Sequence, residues 1–146
     1  MLDTEIFKRI LIPITGVEGE ETVIDYIEEY KSENTIIFLI FIIDQTQINQ
    51  IARMLNRDIT EVKVEIEEKG WRSLYFLEEQ FSEFKIRTNI QMLSGFPADV
   101  IRKMIMRFDI NMLVLRKKSS KGIVGRAEEK LMEELIGHTE IPILII

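Results

Sequence analysis

Few residues in this chain are equipped for chemistry, and their spacing closes several reactions to it. There are no cysteines and one histidine, His138. Disulfides, thiolate nucleophiles, Cys-based zinc sites and His–His relays within one chain are thereby excluded. His138 falls at the end of the last predicted helix, where an imidazole caps the helix or is solvated. No G-x-S-x-G elbow accompanies it. Carboxylates occur in pairs, Glu28–Glu29, Glu67–Glu68, Glu78–Glu79, Glu128–Glu129 and Glu133–Glu134. Each pair lies between apolar positions of a predicted helix, so they read as solvated acidic faces. Met104, Met106, Met112 and Met132 read as core fillers. One cluster remains: Arg116-Lys117-Lys118-Ser119-Ser120-Lys121-Gly122, followed by Gly125 and Arg126. It is a basic loop in an acidic protein, and it leads into a helix N-terminus, a place that favours anions. Two readings of it stand. It is a solvated loop offsetting the acidic helices, or a site for phosphate, a nucleotide or an acidic partner. The candidate residues are then Thr15 and Gly16, at the end of the first strand, with Arg116, Lys117, Lys118, Ser119, Lys121, Gly122, Gly125 and Arg126.

These residues need elements to position them. Four nearly continuous apolar runs, Ile10–Ile14, Ile36–Ile43, Ile110–Leu115 and Ile141–Ile146, read as strands covered on both faces. A fifth, Phe84–Leu93, alternates: Ile86, Thr88, Ile90 and Met92 on one face, Lys85, Arg87, Asn89 and Gln91 on the other. That pattern fits an edge strand with one wetter face. Helical stripes lie between the strands. Val23, Ile24, Ile27 and Tyr30 make the first, with Glu18, Glu20 and Glu21 in or before its first turn. Ile101, Met104, Ile105 and Phe108 make another, opened by Pro97 and Asp99. Val124, Ala127, Leu131 and Leu135 make the last, which stops at Gly137.

Between Gln45 and Glu83 the pattern is ambiguous. Ile48, Ile51 and Leu55 suggest a short helix, and Asn56-Arg57-Asp58 a break. Glu61–Glu67 alternates as a strand does, yet Leu74, Leu77 and Phe81 continue a helical stripe. We favour a helix from Thr60 to Phe81, disturbed at Gly70. The tally is five strands and about four helices. Strands alternating with helices imply βαβ units, an α/β fold with an open, mostly parallel sheet and helices on both faces. No repeat or linker divides the chain, so residues 1–146 read as one domain.

The bulk numbers bound the rest. The chain has 146 residues, 46% hydrophobic and 30% charged, enough for one real core. A net charge of −6 argues against nucleic-acid binding. The 26 Ile and 19 Glu fit a thermophilic source or an AT-rich genome alike. The longest apolar run, Ile36–Ile43, falls far short of the roughly 20 residues of a membrane span. The N-terminus has no signal-peptide h-region. The protein therefore reads as cytoplasmic, with no membrane or nucleic-acid partner.

Ligands of doubly wound sheets bind beyond the carboxyl ends of the strands. After the first strand comes Ile14-Thr15-Gly16-Val17-Glu18-Gly19. This is neither G-x-G-x-x-G nor a P-loop, which argues against a dinucleotide dehydrogenase and a P-loop NTPase. It also lacks the acidic pair of a receiver domain.

Four stretches together resemble the universal stress protein family: Lys8-Arg9-Ile10-Leu11-Ile12-Pro13-Ile14, Gly95-Phe96-Pro97-Ala98-Asp99-Val100-Ile101, Asp109-Ile110-Asn111-Met112-Leu113-Val114-Leu115 and Ile141-Pro142-Ile143-Leu144-Ile145-Ile146. The resemblance covers nearly the whole chain and implies a Rossmann-like sheet in the order 3-2-1-4-5. It also implies a homodimer paired through the last strand, here Ile141, Ile143, Leu144, Ile145 and Ile146. That apolar edge carries no charge to block pairing.

The chain departs from the family's ATP-binding branch. That branch has an Asp at the end of strand one and G-x2-G-x9-G-[ST] after strand four. Here the Asp position reads Thr15, the glycine positions read Arg116, Ser119 and Glu129, and the Ser/Thr position reads Lys130. Gly122-Ile123-Val124-Gly125 gives G-x2-G in a shifted register, but ten residues on stands Leu135. Glycine is needed where backbone approaches phosphate, and a carboxylate there repels it. The expectation is a non-catalytic, homodimeric stress-response or regulatory protein with no cofactor, acting through a protein partner. The alternative is a nucleotide- or anion-binding regulator using the basic loop. A slow nucleotide hydrolase has least support, because no nucleophile–base pair is visible.

Overall fold

A computed structural model describes residues 8–14, 21–116 and 122–146, with 21–22 and 122–128 described by backbone alone. The strands are β1 (Arg9–Ile14), β2 (Ile36–Ile43), β3 (Arg87–Ser94), β4 (Met112–Leu115) and β5 (Ile143–Ile145). The helices are α1 (Glu21–Tyr30), α2 (Gln45–Leu55), α3 (Ile59–Glu83), α4 (Pro97–Arg107) and α5 (Gly122–His138). All five strands pair in parallel, in the order β3-β2-β1-β4-β5.

Alternation along the strands builds two cores. Ile10, Ile12, Ile14, Ile37, Leu39 and Phe41 face α1, α2 and α3, with Val23, Ile27, Ile48, Leu74 and Phe81. Leu11, Phe38, Ile40, Leu113 and Leu115 face α4 and α5, with Ile101, Met104 and Leu135. Strands buried on both sides explain why β2 reads IIFLIFII with no alternation in polarity. The chain moves outward through α1 and the α2–α3 pair to β3. It then returns by α4 to β4, so its direction across the sheet reverses between β1 and β4.

Several expectations change. Five helices are described against a tally of about four, and Gln45–Glu83 holds two, the short helix and the long one that its residues suggested. Asn56 ends α2 in the left-handed region, φ 51°, and the Asp58 carboxylate opens α3 by accepting from the Thr60 and Glu61 N–H groups. Gly70 does not disturb α3, which runs unbroken from Ile59 to Glu83. β3 is an edge strand, but both of its faces are half-buried, Asn89 and Gln91 included. β4 and β5 are shorter than their apolar runs, and α5 extends one residue past Gly137 to the exposed His138. Met104 and Met112 are core residues, but Met106 is 81% exposed on the outer side of α4.

Candidate functional site

The reversal between β1 and β4 defines the crevice where such sheets hold ligands. Pro13 helps to shape it. The Arg9 carbonyl accepts from Asn111 on the β4 side, whereas the Lys8 carbonyl accepts from Ile36 on the β2 side. Along a parallel strand these directions alternate, so Pro13, like Arg9, turns its backbone nitrogen towards β4. That nitrogen has no hydrogen to donate. The β1–β4 ladder accordingly ends at Leu11↔Leu113, while β1–β2 pairing continues to Ile14↔Phe41.

The described structure includes some of the candidate residues and not others. Thr15, Gly16, Lys117, Lys118, Ser119 and Lys121 lie outside the described residues. Arg116 follows β4 directly and is half-buried. Gly122, Gly125 and Arg126 fall in the first turns of α5. The aligned Glu129 and Lys130 therefore sit about two turns inside that helix, both exposed. Backbone N–H groups at that depth are engaged in i→i−4 helix bonds. They are not the free donors that a phosphate cradle needs.

Sequence reasoning did not anticipate a second feature. Helix α2 packs through Ile48 and Ala52 into one core, and α5 packs through Leu135 into the other. Yet Cα atoms of α2 and α5 approach within 8 Å. Helices on opposite faces can meet only beyond the sheet, and β1 lies between the strands that feed them. Helix α2 therefore stands over the carboxyl end of β1. The apolar period of Ile48, Ile51 and Leu55 announces this helix, but nothing local to it announces where it packs.

A third feature lies beside the crevice. A cleft of about 210 Å³ opens at the carboxyl ends of β2 and β3, lined by Ile43, Asp44, Lys63, Ser94, Gly95 and Phe96 among others. Asp44 is committed to capping α2, accepting from the Thr46 N–H at 3.0 Å. Gly95 takes φ 145° and donates to the Ile43 carbonyl at 3.1 Å, which turns the chain out of β3. Phe96, at the N-cap of α4, is 70% exposed at the cleft. The Gly95-Phe96-Pro97 signal was legible as a turn into a helix, though not as a cleft wall.

No protein-family model and no curated protein sequence matches the chain. Solved structures do. A protein from the universal stress protein family of Burkholderia pseudomallei superposes with a TM-score of 0.69 at 13% identity, over 97% of this chain and 96% of that one. The hypothetical protein MJ0577, the subject of a structure-based functional assignment, superposes with a TM-score of 0.75 at 16% identity, over 97% and 96%. A universal stress protein crystallised in complex with cAMP superposes with a TM-score of 0.62 at 10% identity, over 96% of each chain. The fold of this chain is that of the universal stress protein structures, with the same Rossmann-like α/β sheet from end to end.

Proposed function

We propose that this chain is a universal stress protein-like regulatory protein that works without catalysis, as a homodimer, through contact with a protein partner. The observation that carries the reading is the β3-β2-β1-β4-β5 sheet, shared with universal stress protein structures over nearly the whole chain. The family's ATP mode is absent from the proposal for two reasons. Thr15 replaces the nucleoside-holding Asp. The aligned Glu129 and Lys130 belong to the interior of α5, whose N–H groups are spent on helix bonds. The dimer is proposed through β5, an edge strand hydrogen-bonded on one side by β4, with Ile145 partly exposed on it.

Calorimetry with ATP and magnesium tests the first part: a Kd tighter than ~10 μM would overturn it. Analytical ultracentrifugation tests the second. A dimer is expected for the native chain and a folded monomer for Ile145→Lys, because a charge at an apolar strand edge opposes pairing. A monomeric native protein would end the dimer proposal.

A second reading has its own support, a nucleotide- or anion-binding regulator. One protein of the same fold is described in complex with cAMP, and Arg116, directly after β4, and the first turn of α5 lie at the two ends of the sequence's basic segment. Denaturing the purified protein and identifying released small molecules by mass spectrometry decides between them. A bound adenine nucleotide would favour this reading over the first.

A further inference from the structure

Helix α3 carries two apolar faces, and the core uses only one. Val62, Leu74, Leu77 and Phe81 are buried against the sheet. Val64, Trp71 and Tyr75 point elsewhere and are 46%, 38% and 56% exposed. Their spacing, i, i+7 and i+11, is that of a second stripe on one helix, about 16 Å long. The Trp71 and Tyr75 rings stack on each other with centroids 5.6 Å apart, so the stripe is organised without a partner.

The charges beside it have a pattern. Helical periodicity sets Glu67 and Glu78 along one flank and Glu61, Glu68 and Glu79 along the other. Arg72 is the one cation on those flanks. Among the described residues, Glu67, Glu68, Glu78 and Glu79 form no ion pairs. An apolar stripe between two acidic rows selects its occupant. A second copy would set glutamates against glutamates, and an anionic bilayer would be repelled in the same way. A helix with an apolar spine and Lys or Arg on both flanks would bury the stripe and pair the rows.

We propose that this face of α3 docks a basic amphipathic helix of a partner protein. The inference deepens the partner-mediated reading above and rests on it. ATP calorimetry and the dimer test judge that reading, whereas the present proposal stands or falls on a different signal.

That signal is Trp71, the single tryptophan of the chain. The probe is a synthetic peptide of about 18 residues, Leu and Lys in an amphipathic pattern, added to the full-length protein. A saturable blue shift of the Trp71 emission is expected, weakening at least about tenfold between about 50 and about 300 mM salt. Glu68→Lys with Glu79→Lys should weaken it by about tenfold or more, while Glu28→Lys with Glu29→Lys, on α1, should not. Circular dichroism verifies that both double variants are folded. The proposal is overturned by an unmoved emission, by equal binding of a Leu/Glu peptide, or by equal weakening in the α1 variant. It is also overturned if phosphatidylglycerol vesicles shift Trp71, or if Tyr75→Lys converts a dimer into a monomer. Those results would assign the face to a membrane or to a second copy.

Discussion

Asn56, at φ 51°, turns the chain from α2 to α3, and Arg57 follows it. The Arg57 guanidinium grips Glu65 with two hydrogen bonds, of 2.8 and 2.5 Å, and lies 3.9 Å from Glu61. Those hydrogen bonds, with the charge behind them, hold the Glu65 carboxyl below the ordinary glutamate range and push Arg57 up. A carboxyl lowered by folding stabilises the protein above its unfolded-state value, and that stabilisation is lost as pH falls through the folded value. Both groups face solvent, so the effect is small and screened by salt. Glu65→Gln should therefore lower the melting temperature at pH 7 by only about 1–2 °C. The difference from the native protein should fade as the pH drops below ~4.3. Melting curves across that range check it, and a difference that grew on acidification would refute the assignment. The break at Asn56-Arg57-Asp58 was legible from residue types, because Asn tolerates the left-handed region and Asp caps helices. The Arg57–Glu65 clasp was not, because it depends on the angle at which that turn launches α3.

Elements were legible where apolar period and length agreed, as in β1, β2 and the stripe of α4. They were ambiguous where one stretch satisfied two periods, as Glu61–Glu67 does. Gly70 shows what period alone omits. By helix propensity a mid-helix glycine costs ~1 kcal/mol against alanine, which suggests an interruption. In the fold it marks a close approach of α3 to the sheet. A Cβ at Gly70 would stand 2.5 Å from Cδ1 of Phe41 and 2.8 Å from Cε of Met92. Met92 ends in a flexible methyl that can swing away, but Phe41 is buried on β2 and its ring has little room. Gly70→Ala is thus expected to destabilise by about 1–3 kcal/mol despite alanine's better propensity. Denaturant titration measures this, and Phe41→Leu in the same chain should return part of the loss. A stabilised Gly70→Ala would mean that α3 shifts off the sheet at no cost. The candidate site is legible to a similar degree. Its basic residues stand out by type, and Pro13 by motif. That the Pro13 nitrogen faces β4, and that α2 reaches α5 over β1, are facts about neighbours far along the chain.

At the scale of the molecule, one sheet separates two cores, and every central strand contributes to both. Ile10 and Ile12 face the α1–α3 side, while Leu11 between them faces α4 and α5. Neither core can dissolve without exposing the other face of the same strands, so the two sides are expected to unfold as one unit. The single tryptophan makes this testable, since Trp71 lies on α3 and Ile101, 0% exposed, lies on α4 across the sheet. Ile101→Ala removes three carbons from the far core and should cost about 2–5 kcal/mol. If the sheet couples the faces, the midpoint followed by Trp71 fluorescence and that followed by far-UV circular dichroism should move together by the same amount. The slope against denaturant should stay unchanged, because the same surface is exposed in one step. If the faces unfold separately, Trp71 would keep its native midpoint while part of the helical signal is lost earlier. A docking face on α3 would then be independent of events at α4 and α5. With coupling, a partner bound at Trp71 and a ligand bound beside β4 each stabilise the whole sheet, and each raises the midpoint seen from the other side.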